Sequence, residues 1–347
     1  MNISDILLGA AIIIAAPAVN RVGEAKAQQI HPDQVVVDSP FVHDPVLAYE
    51  NGKYYLYSTG HGISQMTSAD RKHWTLCREG VLKNHEIPAW THDSVPGFHT
   101  HIWAPDVIRY RNKWYLAYSC STFGKNTSAI GLLSNTSLAN MNGWKDEGCI
   151  LASEGKRDNW NAIDPNFVID DKGNPWMTWG SFWDGIQLVK LDKKTMHVKK
   201  GAKPQTIARR HAFGDASAEP NPTSKFAGTN AIEAPFIMKH GGYYYLFVSW
   251  DYCCRGIKSN YRVAVGRSKN VAGPYLDKNG KDMRNGGGTL ILEGDKKEFE
   301  AMGHCSAYSF TDGDFFFCHG YSIAKNGASI LVQKKINWTE NGWLTLE

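Results

Sequence analysis

The sequence predicts an all-β fold, a five-bladed β-propeller, and three observations point to it. Five strands open on similar short segments, which are His43-Asp44-Pro45, Trp103-Ala104-Pro105-Asp106, Ile163-Asp164-Pro165, Ile232-Glu233-Ala234-Pro235 and Gly303-His304-Cys305-Ser306. With Pro45, Pro105, Pro165, Pro235 and Ser306 as markers, the spacings are 60, 60, 70 and 71 residues, a period typical of a radial array of sheets. Short β-rich runs alternate with turn signals throughout, and no helical period of useful length is present.

Aromatic residues follow the markers at a nearly constant distance. They come nine residues after four markers and eleven after the third, at Tyr54, Trp114, Trp176, Tyr244 and Phe315. Each unit has room for about four strands, which matches one propeller blade. A β-sandwich is the alternative, but it would not repeat one motif at blade spacing.

Three segments differ in kind along the chain. Residues 1–27 read as a secretory signal, with an apolar run from Ile6 to Ala16 and cleavage after Ala27. A short buried helix or a misassigned start codon is the alternative for this segment. Residues 28–40 are a linker or lead-in strand, and Val35-Val36-Val37 either joins the last blade or lies outside it. Residues 41–347 form the propeller, and we expect a secreted or periplasmic protein.

Composition excludes several partners. The formal charge is only +4, and no basic run interleaves with aromatic residues, so we expect no nucleic acid. The apolar run near the start is too short to span a bilayer, so we expect no membrane. Seven cysteines without paired CxxC spacing argue against zinc. For the neighbours Cys253 and Cys254, two packed thiols are favoured over a bond, because Cα atoms about 3.8 Å apart are closer than disulfides prefer.

Motifs along residues 42–343 resemble glycoside hydrolase family 43, and within it the α-1,5-L-arabinanases. Besides the strand openings, the resemblance is carried by Phe123-Gly124-Lys125-Asn126-Thr127-Ser128-Ala129-Ile130-Gly131, Trp160-Asn161-Ala162-Ile163-Asp164-Pro165, Gly180-Ser181-Phe182-Trp183 and Cys253-Cys254-Arg255-Gly256. The resemblance implies an inverting hydrolase of arabinan, with three carboxylates at the axis of a five-bladed propeller.

Carried over by motif, Asp44 is the general base, Glu233 the general acid and Asp164 the residue that tunes and orients the acid. Inversion needs an acid to protonate the leaving oxygen and a carboxylate to activate water on the opposite face. A neighbouring negative charge raises the pKa of an acid that would otherwise be ionised at neutral pH. Asp106 is expected to be structural. Glu233 lies two residues before its marker, whereas the two aspartates lie one before. Either the strand openings are irregular or Glu233 reaches the cleft from a different depth, and we expect the second.

Further residues are candidates for binding. Trp103 and Phe123 are predicted to stack on sugar faces, and Asn161, Ser181 and Trp183 to line the cleft, although each also has a plausible structural role in a blade. The resemblance implies that His304, which shares the two-residue offset of Glu233, lies near an axial calcium ion held mostly by water. A buried histidine bonded to a catalytic aspartate is the alternative. The expected partner is arabinan or an arabino-oligosaccharide, and we expect a monomer.

Other functions remain open at this point. The closest are a β-xylosidase or α-L-arabinofuranosidase of the same family, and the choice between endo and exo action depends on loop shape. A propeller that binds carbohydrate without catalysis, or a scaffold for protein partners, would not need acidic residues at the axis.

Overall fold

The computed structural model describes residues 35–77, 79–83, 86–212 and 228–347. The predicted signal and part of the polar insert that follows Arg209 therefore lie outside the described residues. Val35–Glu347 forms one compact unit. It is built from five antiparallel sheets, with 50% strand and 4% helix, so the predicted five-bladed β-propeller is confirmed. Among the described residues, no helix has the length and apolar character needed to cross a bilayer.

The strands follow one another around the ring, blade by blade. Blade 1 contains β1 (Val36–Val37), β2 (Val46–Glu50), β3 (Lys53–Ser58), β5 (Ser64–Ser68) and β6 (Trp74–Cys77); blade 2 contains β7 (His101–Tyr110), β8 (Lys113–Cys120), β9 (Ser128–Asn135) and β10 (Lys145–Ser153), with β4 (Gly60–His61) paired to β7. Blade 3 contains β11 (Asn166–Ile169), β12 (Pro175–Trp179), β13 (Ile186–Lys190) and β14 (Gln205–Ala208).

Blades 4 and 5 complete the ring. Blade 4 contains β15 (Ile232–His240), β16 (Tyr243–Trp250), β17 (Arg262–Ser268) and β18 (Thr289–Leu292); blade 5 contains β19 (Phe299–Phe310), β20 (Gly313–Ser322), β21 (Ala328–Trp338) and β22 (Leu344–Leu346). The described residues also include the short helix α1 (Trp90–Ser94) and the 3-10 helices Gly256–Lys258 and Met283–Asn285. One strand of each blade contacts its counterpart in the next blade, and these strands line the axis. They are β2, β7, β11, β15 and β19, and β19 contacts β2 to complete the circle.

The hydrophobic core lies in the seams between blades. Separate buried clusters fill the five seams, and the largest fully buried side chains include Trp74, Trp179 and Phe247. A sheet buried on both faces needs apolar side chains on both, which explains the continuous apolar runs of the central strands.

The N-terminal segment closes the ring. Phe41 bridges to Ile330 in β21, and the N–H of Leu331 donates to the carbonyl of Pro40 at 3.0 Å. The preceding strand β1 instead pairs with β6 of blade 1. The valine run therefore lies outside the last blade, and the next few residues attach to that blade.

The structural repeat is more regular than the sequence markers suggest. A residue with positive φ precedes the marker in each blade: Asp44, Ala104, Asp164, Ala234 and His304, with φ from 39° to 58°. The equivalent markers are therefore Pro45, Pro105, Pro165, Pro235 and Cys305, not Ser306. His304 thus occupies the position of Asp44 and Asp164, and the expectation that it shares the offset of Glu233 is wrong. Blade 5 has Cys305 where the other blades have proline, so the equivalence of His304 with Asp44 and Asp164 is not apparent from the sequence.

Backbone hydrogen bonds at these positions tie each blade to the one before it. In four blades, the N–H of the residue before the marker donates to a side chain of the preceding blade, and that side chain lies fourteen residues after the marker of its own blade. The four bonds are Asp44 to His319 Nδ1 (3.1 Å), Ala104 to Thr59 Oγ1 (2.8 Å), Asp164 to Ser119 Oγ (3.0 Å) and His304 to Ser249 Oγ (2.8 Å). In the fifth case Ala234 donates to Asp164 Oδ2 at 3.1 Å. The ring of bonds thus holds the axial residues at fixed positions.

Candidate active site

Three carboxylates from different blades meet at the axis. Asp44 opens blade 1, Asp164 blade 3 and Glu233 blade 4, and their exposed fractions are only 6–8%. Each lies at a strand opening where positive φ interrupts the regular alternation of side chains. At Glu233 the interruption is a shift in the β15–β16 register between Glu233 and Phe236. The irregular strand opening, rather than a different depth alone, brings Glu233 into the cluster despite its offset.

Asp44 is surrounded by hydrogen-bond donors. Its Oδ1 lies 2.8 Å from His43 Nδ1 and 2.9 Å from His304 Nδ1, and its Oδ2 accepts the hydroxyl of Thr59 at 2.5 Å. Burial alone would raise the pKa of this carboxyl, but the charge of His304 and the hydrogen bonds of His304 and His43 hold it well below its usual value. Asp44 is therefore ionised at neutral pH, as a general base must be.

Glu233 has the opposite environment. Burial raises the pKa of Glu233, and the hydrogen bond that Ser181 donates to its Oε2 at 2.6 Å opposes this shift. Burial also raises the pKa of Asp164 to about 8, with the charge of His304 lowering it and that of Glu233 raising it. The two groups cannot easily be ionised together, so the pair holds a proton near neutral pH. A buried carboxyl that keeps a proton can act as a general acid.

His304 lies among all three carboxylates. Burial lowers the pKa of His304, but the charge and hydrogen bond of Asp44, together with Asp164 and Glu233, raise it to about 9. Its Nδ1 faces Asp44, as in the alternative interpretation, and among the described residues no hydrogen-bond partner is found for its Nε2. This nitrogen is the one that suits a ligand in the axial channel.

The predicted sugar-binding residues occupy different environments. Phe123 is 76% exposed in the loop after β8, and Trp103 is half-buried with its indole N–H donating to His101 Nδ1 at 3.2 Å. Ser181 is committed to Glu233. Asn161 is buried and accepts the hydroxyl of Ser128 at 2.6 Å, while Trp183 is 2% exposed. Of the five, Phe123 offers the largest open surface.

Sequence reasoning missed several residues around the cluster. His319 contacts the backbone of Asp44, and its ring stacks on His43 with centroids 3.8 Å apart. Tyr261 is buried, and burial with the charges of Glu233, Asp164 and Asp44 raises the pKa of its hydroxyl far above the usual value. The signal for His319 was present, because it follows Cys305 by the same fourteen residues that separate Thr59 from Pro45.

Asp106 is structural, as expected. It is 2% exposed, and its Oδ2 accepts the N–H of Phe167 at 2.6 Å and the side-chain amide of Asn166 at 3.2 Å. Both partners belong to the next blade, so Asp106 joins blades 2 and 3. The cysteine interpretation, in contrast, is wrong: the structure pairs Cys253 and Cys254 in a disulfide, and the other five cysteines are free.

A propeller axis that holds an ionised carboxylate beside carboxyls with raised pKa values defines a class of protein, the glycoside hydrolases that work with an acid and a base. The comparison with known sequences then gives the family. The profile described as glycosyl hydrolases family 43 matches residues 34–344, and the chain belongs to this family.

Individual relatives agree with this assignment. The chain is 40% identical over 306 residues to the extracellular endo-α-(1→5)-L-arabinanase 1 of Bacillus subtilis, covering 87% of this chain and 86% of the relative. An exo-1,5-α-L-arabinanase from a bovine ruminal metagenomic library is 52% identical, with a TM-score of 0.81 over 89% of this chain and 98% of that one. Cellvibrio cellulosa α-L-arabinanase complexed with arabinohexaose is 40% identical, with a TM-score of 0.81 over 89% and 96%.

Proposed function

We propose that this enzyme hydrolyses α-1,5-linked L-arabinofuranosyl bonds of arabinan with inversion of configuration. The observation that carries the proposal is the opposed pair of environments at the axis. Hydrogen bonds and charges keep Asp44 ionised, while burial keeps a proton in the cluster of Glu233 and Asp164. The substrate comes from the relatives, which include an endo-arabinanase, an exo-arabinanase and an arabinanase with arabinohexaose bound.

The roles follow from the chemistry of each environment. Asp44 takes a proton from the attacking water, and its donors stabilise its charge before the reaction. Glu233 gives its proton to the leaving sugar oxygen. In the reacting state the proton shared by the pair lies on Glu233, and the ionised Asp164 supplies a like charge that favours this arrangement. Its Oδ2 also binds the N–H of Ala234, the residue that follows the acid.

Sugar binding is proposed to use the exposed aromatic surface near the axis. Phe123 presents its ring to solvent, and Trp103 lies at the opening of β7. The faces of furanose rings carry C–H groups that pack on aromatic rings. A neutral sugar is compatible with the small net charge of the chain.

A calcium ion at the axis remains a proposal. The donor set near His304 is poor in oxygen, because only carboxylates already bonded to protein groups are close. An ion at His304 Nε2 would therefore take most of its ligands from water, as calcium readily does. It would supply positive charge in the channel and would displace the proton that His304 otherwise holds.

Secretion and a monomeric state are further proposals. The Bacillus subtilis relative is named extracellular, and residues 1–27 carry the pattern of a secretory signal. N-terminal sequencing of the exported protein and its mass in solution test these two points.

Substitution of the two principal carboxylates tests the function. Glu233→Ala and Asp44→Ala should each abolish the release of reducing sugar from linear arabinan while binding of arabino-oligosaccharides survives. An activated aryl arabinofuranoside should restore turnover in Glu233→Ala, because its leaving group needs no proton, but not in Asp44→Ala. Asp192→Asn changes a partly exposed carboxylate in blade 3 that accepts N–H groups of its own turn, from Lys194 and Thr195, and is the matched control. Folded variants that keep full activity would refute the assignment.

The products give the remaining detail. Proton NMR of the first product anomer distinguishes inversion from retention. Comparison of products from linear and branched arabinan separates endo from exo action and excludes a β-xylosidase.

A further inference from the structure

The hydroxyl of Tyr321 is a junction beneath the proposed general base. Tyr321 is 3% exposed, and its oxygen contacts three nitrogen atoms. The N–H of Cys254 donates to it at 2.6 Å, His43 Nε2 lies 2.9 Å away and His319 Nε2 lies 3.3 Å away. The two histidines in turn contact Asp44, so Tyr321 is one residue removed from the base.

The protonation of His319 follows from a backbone group. The N–H of Asp44 points at His319 Nδ1 at 3.1 Å, and an N–H can only donate. Nδ1 is therefore the acceptor nitrogen of the ring. Burial lowers the pKa of His319 well below its usual value, so the ring is neutral. Its proton lies on Nε2 and is donated to the oxygen of Tyr321.

The protonation of His43 then follows from Tyr321. The tyrosine oxygen accepts from Cys254 and from His319, which leaves its own proton for His43 Nε2 or for the side chain of Ser259, whose oxygen already accepts the N–H of Arg255. With Nε2 as acceptor, His43 carries its proton on Nδ1. That nitrogen lies 2.8 Å from Oδ1 of Asp44 and donates to it.

We propose that Tyr321 is a positioning residue that fixes the tautomer of His43 and so directs the His43 Nδ1–H at the carboxylate of Asp44. This inference rests on the proposed role of Asp44 as the general base. Without the tyrosine proton, His43 would be free to place its own proton on Nε2. Its Nδ1 would then present a lone pair to Asp44, and the carboxylate would lose one of the donors that orient it.

A metal site is the competing interpretation of the same residues. Ligand atoms of His43, Asp44 and His319 lie within 4.8 Å of one another. However, both nitrogens of each histidine already have a hydrogen-bond partner, as described above. The contacts therefore favour a hydrogen-bonded assembly over an ion at these three residues.

Nuclear magnetic resonance tests the tautomers directly. In protein labelled with ¹⁵N-histidine, long-range proton–nitrogen spectra distinguish Nδ1–H, Nε2–H and doubly protonated rings. We expect His43 as Nδ1–H and His319 as Nε2–H, with signals assigned by their loss in His43→Gln and His319→Gln. In Tyr321→Phe, His43 should shift toward Nε2–H while His319 keeps its tautomer, because Asp44 still donates to it. A wild-type His43 that is Nε2–H or doubly protonated would overturn the proposal, even if Tyr321→Phe does not fold.

Kinetics provide the second measurement. Tyr321→Phe should lower kcat about ten- to a hundred-fold, the usual effect of losing a residue that orients a site through another, and should change KM less than twofold. Tyr275→Phe is the matched control, because its buried hydroxyl bonds only to the carbonyl of Val271, and it should leave kcat unchanged. Unaltered kcat and an unaltered His43 tautomer in Tyr321→Phe would refute the inference while leaving the role of Asp44 intact. Full activity in Asp44→Ala would instead refute the proposed function.

Discussion

The backbone N–H of Ala234 donates a hydrogen bond to Oδ2 of Asp164 at 3.1 Å, which fixes the carboxylate of Asp164 beside the residue that follows Glu233. In the other blades, side chains of Thr59, Ser119, Ser249 and His319 accept the equivalent N–H. In blade 3 the position that corresponds to Thr59 is Gly180. The N–H of Gly180 donates to the carbonyl of the residue before Asp164, just as the N–H of Thr59 donates to the carbonyl of the residue before Asp44. Glycine has no side chain to accept the bond, so Asp164 takes over this contact.

Asp164→Asn should separate the charge of Asp164 from its structural bond. Asparagine retains an oxygen that can accept the N–H of Ala234, but it loses the negative charge that favours a protonated Glu233. The alkaline limb of kcat/KM should therefore move to lower pH, and turnover of arabinan at neutral pH should fall by about a hundred-fold or more. Turnover of an activated aryl arabinofuranoside should fall much less. An unchanged alkaline limb would show that Asp164 does not tune the acid.

Ser181→Ala should move the same limb in the opposite direction. Its hydroxyl donates to Oε2 of Glu233 at 2.6 Å and lowers the pKa of that carboxyl. Loss of a hydrogen bond to a charged group should raise the limb by about one pH unit. The measurement is kcat/KM against pH for both variants in the same buffers. A shift of both limbs in one direction would contradict these assignments.

The fold was predictable because similar short segments recur at the start of a strand in each of the five blades. Asp44 and Asp164 lie at the same point of two blades and Glu233 lies one residue earlier in a third, and a ring of blades brings such strand openings to its axis. The register of blade 5 was misjudged by one residue, because Cys305 stands where the other blades have proline. Positive φ before the marker, visible only in the structure, defines the true equivalence.

The contacts around the trio were less predictable. Ser181 was expected to bind sugar, yet its hydroxyl holds Glu233, because the chain after Gly180 runs beside blade 4 and bridges to it. Tyr321 carries no motif, and its role depends on nitrogens of Cys254 and His43, which are 67 and 278 residues away, as well as on its near neighbour His319. Hydrogen-bond direction depends on relative positions of a few tenths of an ångström, which residue spacing does not encode.

Asp106 should make stability depend on pH. Burial raises its pKa to about 7, against the opposing hydrogen bond from Phe167, whereas the unfolded chain titrates near the ordinary value of about 4. Between these values the folded protein holds a proton that the unfolded chain releases. The contribution of Asp106 to stability is therefore full below pH 4 and is lost as the pH rises toward 7, by as much as about 4 kcal/mol.

Asp106→Asn removes this titration and keeps an oxygen for the N–H of Phe167. Urea unfolding at pH 4.5 and 7.5 should show a smaller difference in the free energy of unfolding for the variant than for the wild type. Asp192→Asn, at a partly exposed carboxylate bonded only within its own turn, should keep the wild-type difference. If the free energy of unfolding changed equally between pH 4.5 and 7.5 in all three proteins, Asp106 would be ionised in the folded state.

The Cys253–Cys254 disulfide should affect catalysis through Tyr321. The bond constrains the backbone of Cys254, which has a φ of 64°. The N–H of Cys254 donates to the Tyr321 hydroxyl. Reduction adds two electrons and two protons and gives two thiols, which frees the backbone at Cys254. We expect kcat to fall severalfold on treatment with a phosphine reductant, in step with a rise from five to seven alkylated thiols by mass spectrometry.

The reductant effect should disappear in Tyr321→Phe, because the contact it acts through is already lost, and two changes on one pathway are not additive. A double Cys253→Ser, Cys254→Ser variant should show the lower kcat without reductant and no further response. Seven alkylated thiols in the untreated enzyme would show that the two cysteines are not bonded. An equal loss of activity on reduction in wild type and Tyr321→Phe would place the effect elsewhere, because Tyr321 would then not transmit it to Asp44.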